Sequence, residues 1–124
     1  MERRLDDTMT VIGDAMHAIA IAGVMGGRDS EVTEATTDIF LEVASFDPAR
    51  TRATRRQLGL STDASYRFER GVDPEMAAEA LDRCARLIIA TAGGSIAGAP
   101  LDLYPSAPTP RVASMRAARV ARVL

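Results

Sequence analysis

Two places in the sequence carry residue types that could do chemistry. The first is Glu42, in the run TDIFLEVASF (37–46), where it falls between apolar neighbours at alternate positions, Phe40 and Ala44. A carboxylate is costly to bury without a partner. A functional carboxylate fits this placing, and so does a sheet face open to water or an ion pair with a nearby arginine. The second is GVMGG (23–27), with three glycines in five residues. Consecutive backbone N–H groups in such a run can form an anion-binding concavity, but the run matches neither GxGxxG nor GxxxxGK[ST], and a tight structural turn is the better reading of it. His17 is the only histidine and has no second ligand beside it, so a zinc site is not supported. Ser30, Ser61 and Ser65 lack an evident base, which leaves a serine–histidine arrangement without support. Cys84, the single cysteine, falls in an apolar stripe and reads as a core residue.

The elements that must position these residues follow from local signals. Met9–Ile12 and 17–22 (HAIAIA) read as short strands, with Gly13–Asp14 as a turn. Thr37–Phe46 alternates, with Ile39, Leu41 and Val43 on one face and Phe40, Glu42 and Ala44 on the other, and predicts a strand. Asp47-Pro48 opens a helix, PARTRATRRQL, that Gly59 would close. Arg52, Arg55 and Arg56 share one side of it, and Ala49, Ala53 and Leu58 form its apolar side. Residues 60–71 read as a loop leading into a short strand or helix start. Asp73-Pro74 repeats the cap signal before a helix that ends at Gly93-Gly94, with Ala77, Ala80, Leu81, Cys84, Leu87 and Ile88 as its buried stripe. Leu101–Tyr104 suggests a short strand, and Pro105, Pro108 and Pro110 a linker. Strands mixed with capped helices predict an α/β (α+β) domain, a mixed sheet with packed helices.

The chain has 124 residues, 47 % hydrophobic and 26 % charged, as in ordinary soluble globular proteins. No apolar run approaches the roughly 20 residues of a membrane span, no secretory signal opens the chain, and one cysteine cannot form an internal disulfide; a cytoplasmic setting is the expectation. The net charge of −2 argues against a wholly electrostatic nucleic-acid binder, but the charge is uneven. Residues 47–70 hold six arginines against three acids, and residues 111–124 hold four arginines and no acid. Such stretches can touch phosphate, or be solvated helix faces.

Four blocks go further. AGVMGG, the strand with FLE, the RRQLGL turn and TDASYRFERGVDP occur in order between Ala20 and Pro74. In this order and spacing the sequence resembles the central editing domain of bacterial phenylalanine–tRNA ligase beta chains. The likeness runs over about residues 9–124. It implies residues 1–105 as a partial editing domain, 106–110 as a Pro-rich linker, and 111–124 as the start of the following domain. A family segment upstream that would complete the pocket has no counterpart here, so the resemblance implies a fragment truncated at both ends and inactive alone.

What the resemblance implies about chemistry is specific. The family hydrolyses tyrosine from mischarged tRNA(Phe), because a hydrophobic synthetic pocket cannot strongly reject an isostere that merely adds a hydroxyl. Glu42 matches the glutamate that receives the tyrosine hydroxyl; a carboxylate in an apolar setting suits that hydrogen bond. Gly23, Gly26 and Gly27 match the loop lining the pocket. Thr62 and Ala64 match positions near the reactive ester, where an oriented water would attack. The partners implied are tRNA(Phe) and the ligase alpha chain, in an alpha2-beta2 assembly. ATP and magnesium would serve the parent enzyme, with no cofactor bound by this segment. Two rival expectations are a free-standing trans-editing hydrolase and a non-catalytic RNA-binding or structural module in which the arginines at 50–56 meet phosphate.

Overall fold

A computed structural model describes residues 2–105, 109 and 112–123. Strands β1 (Val11–Gly13), β2 (Ala18–Ile21) and β3 (Met25–Gly26) form an antiparallel meander in that order. Val11 pairs with Ile21 and Ile12 with Ala20; Ala20 in turn pairs with Gly26 and Ile21 with Met25. The β1–β2 turn is held by Asp14, whose carboxylate accepts from the N–H groups of Met16 and His17 at 2.7 and 2.6 Å. Those bonds hold its pKa below the ordinary carboxylate value.

Helix α1 (Pro48–Leu58) begins and ends where its sequence requires. The Asp47 carboxylate accepts from Ala49 and Arg50 N–H, Pro48 sits in the first turn, and Gly59 closes the helix in the left-handed region at φ 61°. Its inward face differs from the expected one. Thr51, Thr54 and Leu58 are buried, whereas Ala49 and Ala53 are exposed. Positions three and four apart share a face whatever their hydropathy, so the threonines pack inward beside Leu58.

Of the two alternatives open for residues 60–71, a short strand or a helix start, the structure has the helix, α2 (Asp63–Phe68). Thr62 and Ser65 form a reciprocal capping box: the Thr62 hydroxyl accepts from Ser65 N–H at 3.0 Å, and Thr62 N–H donates to the Ser65 hydroxyl at 2.9 Å. Ser65 is fully buried. Beyond it, Glu69 ties α2 to α1. Arg55 Nε donates to its carboxylate at 2.8 Å, Arg70 Nη1 donates to the other oxygen at 3.1 Å, and Arg52 Nη2 donates to its carbonyl at 3.0 Å.

The Arg55 hydrogen bond, reinforced by the charges of Arg55, Arg70 and Arg52, holds the Glu69 carboxyl below its ordinary 4.5 against the opposing effect of burial. A carboxylate depressed in the folded state stabilises the fold fully above its unfolded pKa, and that contribution is lost as pH falls through the folded value. Acid titration followed by denaturant midpoints should therefore show stability falling below about pH 4.5. Glu69→Gln should lower the midpoint at neutral pH and flatten this part of the acid limb. An unchanged acid limb in the variant would assign the loss to other carboxylates.

Helix α3 (Ala77–Ala92) follows a 3-10 turn at Pro74–Met76 and stops at Gly93 with positive φ. Its stripe has the expected helical spacing but is nowhere fully buried. Ala77, Leu81, Cys84 and Ile88 are half-buried, and Ala80 and Leu87 are exposed. No described element packs across that stripe closely enough to bury it. Helix α4 (Ala117–Val123) occupies part of the 111–124 segment. The expected strand at Leu101–Tyr104 is absent; this stretch is extended and anchored by the Tyr104 hydroxyl, which donates to Glu75 at 2.6 Å. That bond and the neighbouring acids raise the Tyr104 pKa to about 12. Pro108, Pro110 and most of the expected 106–110 linker lie outside the described residues.

The expected strand at Thr37–Phe46 is also absent. The segment is irregular, and among the described residues no backbone–backbone hydrogen bond engages residues 37–46. Alternation fits a residue to a pleated surface but supplies no partner strand, and a strand without a ladder is not stable. The α/β class holds, with the sheet small and antiparallel.

Candidate functional site

The glycine run is a hairpin loop. Ala22, Gly23 and Val24 connect β2 to β3, closed by Val24 N–H to Ile21 O at 2.9 Å. Gly23 adopts φ 67°, and a Cβ there would lie 3.1 Å from the Phe46 ring and 3.2 Å from Phe68. The two rings pack with centroids 5.0 Å apart at 56°, so the backbone of Gly23 seats on an aromatic pair. Gly27 N–H donates to Ile19 O at 2.7 Å. Two N–H groups of the run, those of Val24 and Gly27, are thus engaged inside the hairpin, and Gly23 and Gly27 serve chain reversal and close approach.

Against this hairpin lies a cleft of about 610 Å³. One wall is Ile12, Ala20 and the 21–26 hairpin; the irregular segment supplies Glu42 to Ala44 and Phe46; α2 supplies Thr62, Asp63, Ala64 and Phe68. The structure thus brings Glu42, Gly23, Gly26, Thr62 and Ala64 to one place. It does not bring Gly27 there. Gly27 lines a smaller cleft of about 270 Å³ on another side of the hairpin, with Asp14, His17 and Arg28. A Cβ on Gly27 would stand 2.5 Å from the Ile19 carbonyl oxygen, so its position is fixed by strand closure.

Glu42 keeps contact with water, but the apolar surroundings remove enough of it to raise its carboxyl above the ordinary value. No described residue donates a hydrogen bond to it, and burial is the only cause of the shift. Such a carboxylate gains from any donor that enters the cleft.

Thr62 holds two walls together. Its hydroxyl donates to the Val24 carbonyl at 2.6 Å while accepting from Ser65 N–H. With its proton so engaged, Thr62 is not an activated nucleophile. Thr62→Ala loses both a helix cap and the link to the hairpin, for an expected ~1–2 kcal/mol. A urea unfolding midpoint should register this, and Thr62→Ser should restore most of it; equal midpoints for wild type and alanine variant would show the link to be dispensable.

Sequence reasoning missed several lining residues. Phe46 and Phe68 carried no signal because their pairing joins segments 22 residues apart in sequence. Asp63 was visible as the residue between Thr62 and Ala64, but nothing in its spacing indicated a cleft. Arg52 and Arg55, expected on an exposed basic face, are bound to Glu69, which leaves Arg50 and Arg56 as the outward cations of α1.

Among the described residues, no three His, Cys, Asp or Glu side chains converge to hold a metal ion. No described helix is long and apolar enough to cross a membrane.

The arrangement defines a small α/β domain whose largely apolar cleft carries two carboxylates, Glu42 and Asp63, to which no described residue donates a hydrogen bond. Residues 1–93 match the B3/4 domain, and the chain belongs to that family. It is 50 % identical to the phenylalanine–tRNA ligase beta subunit of Moorella thermoacetica over 97 % of this chain and 15 % of that protein. It is 57 % identical to the same subunit of Protochlamydia amoebophila over 82 % of this chain and 13 % of that one, and 47 % identical to that of Xanthomonas campestris pv. campestris over 99 % and 16 %. The chain thus spans about 15 % of the length of the curated relatives it matches.

Proposed function

We propose that this chain serves as part of a phenylalanine–tRNA ligase beta chain, in the cytoplasm, and that its cleft contributes to hydrolytic removal of tyrosine from mischarged tRNA(Phe). One observation carries the reading: Glu42, with no hydrogen-bond donor among the described residues and raised in pKa by burial, stands in a largely apolar cleft beside Gly23, Gly26, Thr62 and Ala64. A tyrosine side chain in that cleft offers its ring to the apolar walls and its hydroxyl to Glu42. Phenylalanine fills the same walls but leaves the carboxylate without its donor, at a cost comparable to a lost hydrogen bond to a charged group.

The chemistry in this reading is attack by an oriented water on the ester carbonyl, with no covalent enzyme intermediate. In support, the Thr62 and Ser65 hydroxyls are engaged in the capping box, and His17 lies outside the cleft. Catalysis then comes from positioning. The small side chain of Ala64 leaves room for the ester and the water. The proposal places the ligase alpha chain and tRNA(Phe) as partners, residues 1–105 as the editing part with 106–110 as linker, and ATP and magnesium with other parts of the enzyme. It is tested by replacing the matching segment of a complete alpha–beta enzyme with this chain and measuring tyrosine release from tyrosyl-tRNA(Phe) against phenylalanine release from phenylalanyl-tRNA(Phe). Equal release of the two would overturn it.

A further inference from the structure

The walls of the cleft carry two titratable side chains, Glu42 and Asp63, and no cation. Every other lining residue is apolar or small except Thr62, whose hydroxyl is engaged with Val24 and Ser65. Asp63 comes from α2 and Glu42 from the irregular 42–46 segment, so the two carboxylates reach the cleft from different parts of the chain. Asp63 is exposed and no described residue donates a hydrogen bond to its carboxylate. It stands between Thr62 and Ala64, which the preceding reading sets beside the ester.

We propose that Asp63 is a specificity-determining residue of this cleft, receiving the α-ammonium group of the aminoacyl ligand whose side chain reaches Glu42. The inference rests on the editing reading and adds to it a requirement for a free amino group. An aminoacyl ester carries its ammonium one carbon from the ester carbonyl, so a ligand with its ester near Thr62 and Ala64 brings that ammonium to the neighbouring carboxylate. A cleft with two carboxylates and no cation repels a free carboxylate or an acidic side chain and accepts a neutral or cationic ligand. An ammonium–carboxylate bond at a solvent-reached site is worth up to about a fivefold gain in affinity. The selection this gives is for aminoacyl over hydroxyacyl groups, and it is independent of the phenol.

The test is an NMR titration of the 15N-labelled chain with tyrosinamide and with its analogue in which a hydroxyl replaces the amino group. It is run at pH 6, below the α-amino range of about 7.7–8.0, so that the amine is charged. The expected result is that both ligands shift the cleft resonances of Gly23, Gly26 and Ala44, with tyrosinamide binding about fivefold more tightly. Asp63→Asn should make the two ligands equal, and Asp63→Glu should keep the preference. Because Asp63 is exposed, loss of the fold is not expected, and retained chemical-shift dispersion checks it. If both ligands bind wild type equally, or the preference persists in Asp63→Asn, the role of Asp63 is overturned and the phenol reading stands. If neither ligand shifts the cleft resonances, the binding is measured on the complete alpha–beta enzyme carrying this segment, and no binding there overturns both readings.

Discussion

Glu42→Ala, introduced into the complete enzyme carrying this segment, should lower tyrosine release from tyrosyl-tRNA(Phe) by roughly 10- to 150-fold, the equivalent of the ~1.5–3 kcal/mol of a hydrogen bond to a charged group. Release of phenylalanine should stay at its low level, so the preference between the two collapses. The carboxylate makes no bond to a described residue that the substitution would break, and the segment around it belongs to no helix or strand. The effect should therefore appear in turnover and leave the unfolding midpoint near wild type. Glu42→Gln keeps the shape and an acceptor oxygen but loses the charge, and should fall between the two. If the wild-type and Glu42→Ala enzymes behave alike, the carboxylate does not read the hydroxyl, and the segment is scaffold.

The largest expected effect on stability is at Gly23. An alanine there adopts the left-handed region at a cost of about 1–2 kcal/mol, and its methyl enters contacts of 3.1 and 3.2 Å with the Phe46 and Phe68 side chains. Overpacking of that kind adds about 1–3 kcal/mol. The sum, ~2–5 kcal/mol, is a large share of the about 5–15 kcal/mol that holds a typical domain folded. Gly23→Ala should show a strongly lowered thermal or urea midpoint, with loss of the near-ultraviolet signal of the aromatic pair. Gly26 is the control three residues away. It has no positive φ and nothing within 4 Å of an added Cβ, so Gly26→Ala should move the midpoint by no more than ~0.5 kcal/mol. Equal responses at the two positions would mean that the hairpin does not seat on the rings as described.

The helices were legible because their signals are local. Asp47-Pro48 and Gly59 bracket α1, and Asp73-Pro74 and Gly93 bracket the turn and α3, each with side-chain and backbone geometry of its own. In the sequence, helix α2 stays open between a short strand and a helix start because the residue that closes its capping box is Ser65 in place of the usual Glu or Gln. Thr37–Phe46 misled because alternation records which residues could share a pleated face, while a strand needs a neighbour that no local pattern names. The buried stripe expected on α3 failed for the same reason: helical spacing fixes a face, and burial depends on what packs against it. In the candidate site, the carboxylate and the glycines stood out by residue type. Their meeting in one cleft depends on Thr62 bonding to Val24 across 38 positions, and on the distant aromatic pair, which sequence spacing does not encode.

Among the described residues, the segment bearing Glu42 has no backbone–backbone hydrogen bonds of its own. Each residue held in one backbone conformation costs about 1–2 kcal/mol of entropy, and here no ladder has met that cost in advance. A ligand that bonds to Glu42 must therefore fix part of this stretch at the moment it binds, and its net affinity is what remains after that ordering. Weak retention follows, which suits a site that must release its amino acid after one hydrolysis. Selectivity gains as well. A side chain that fills the cleft without engaging the carboxylate meets the ordering cost and receives nothing in return.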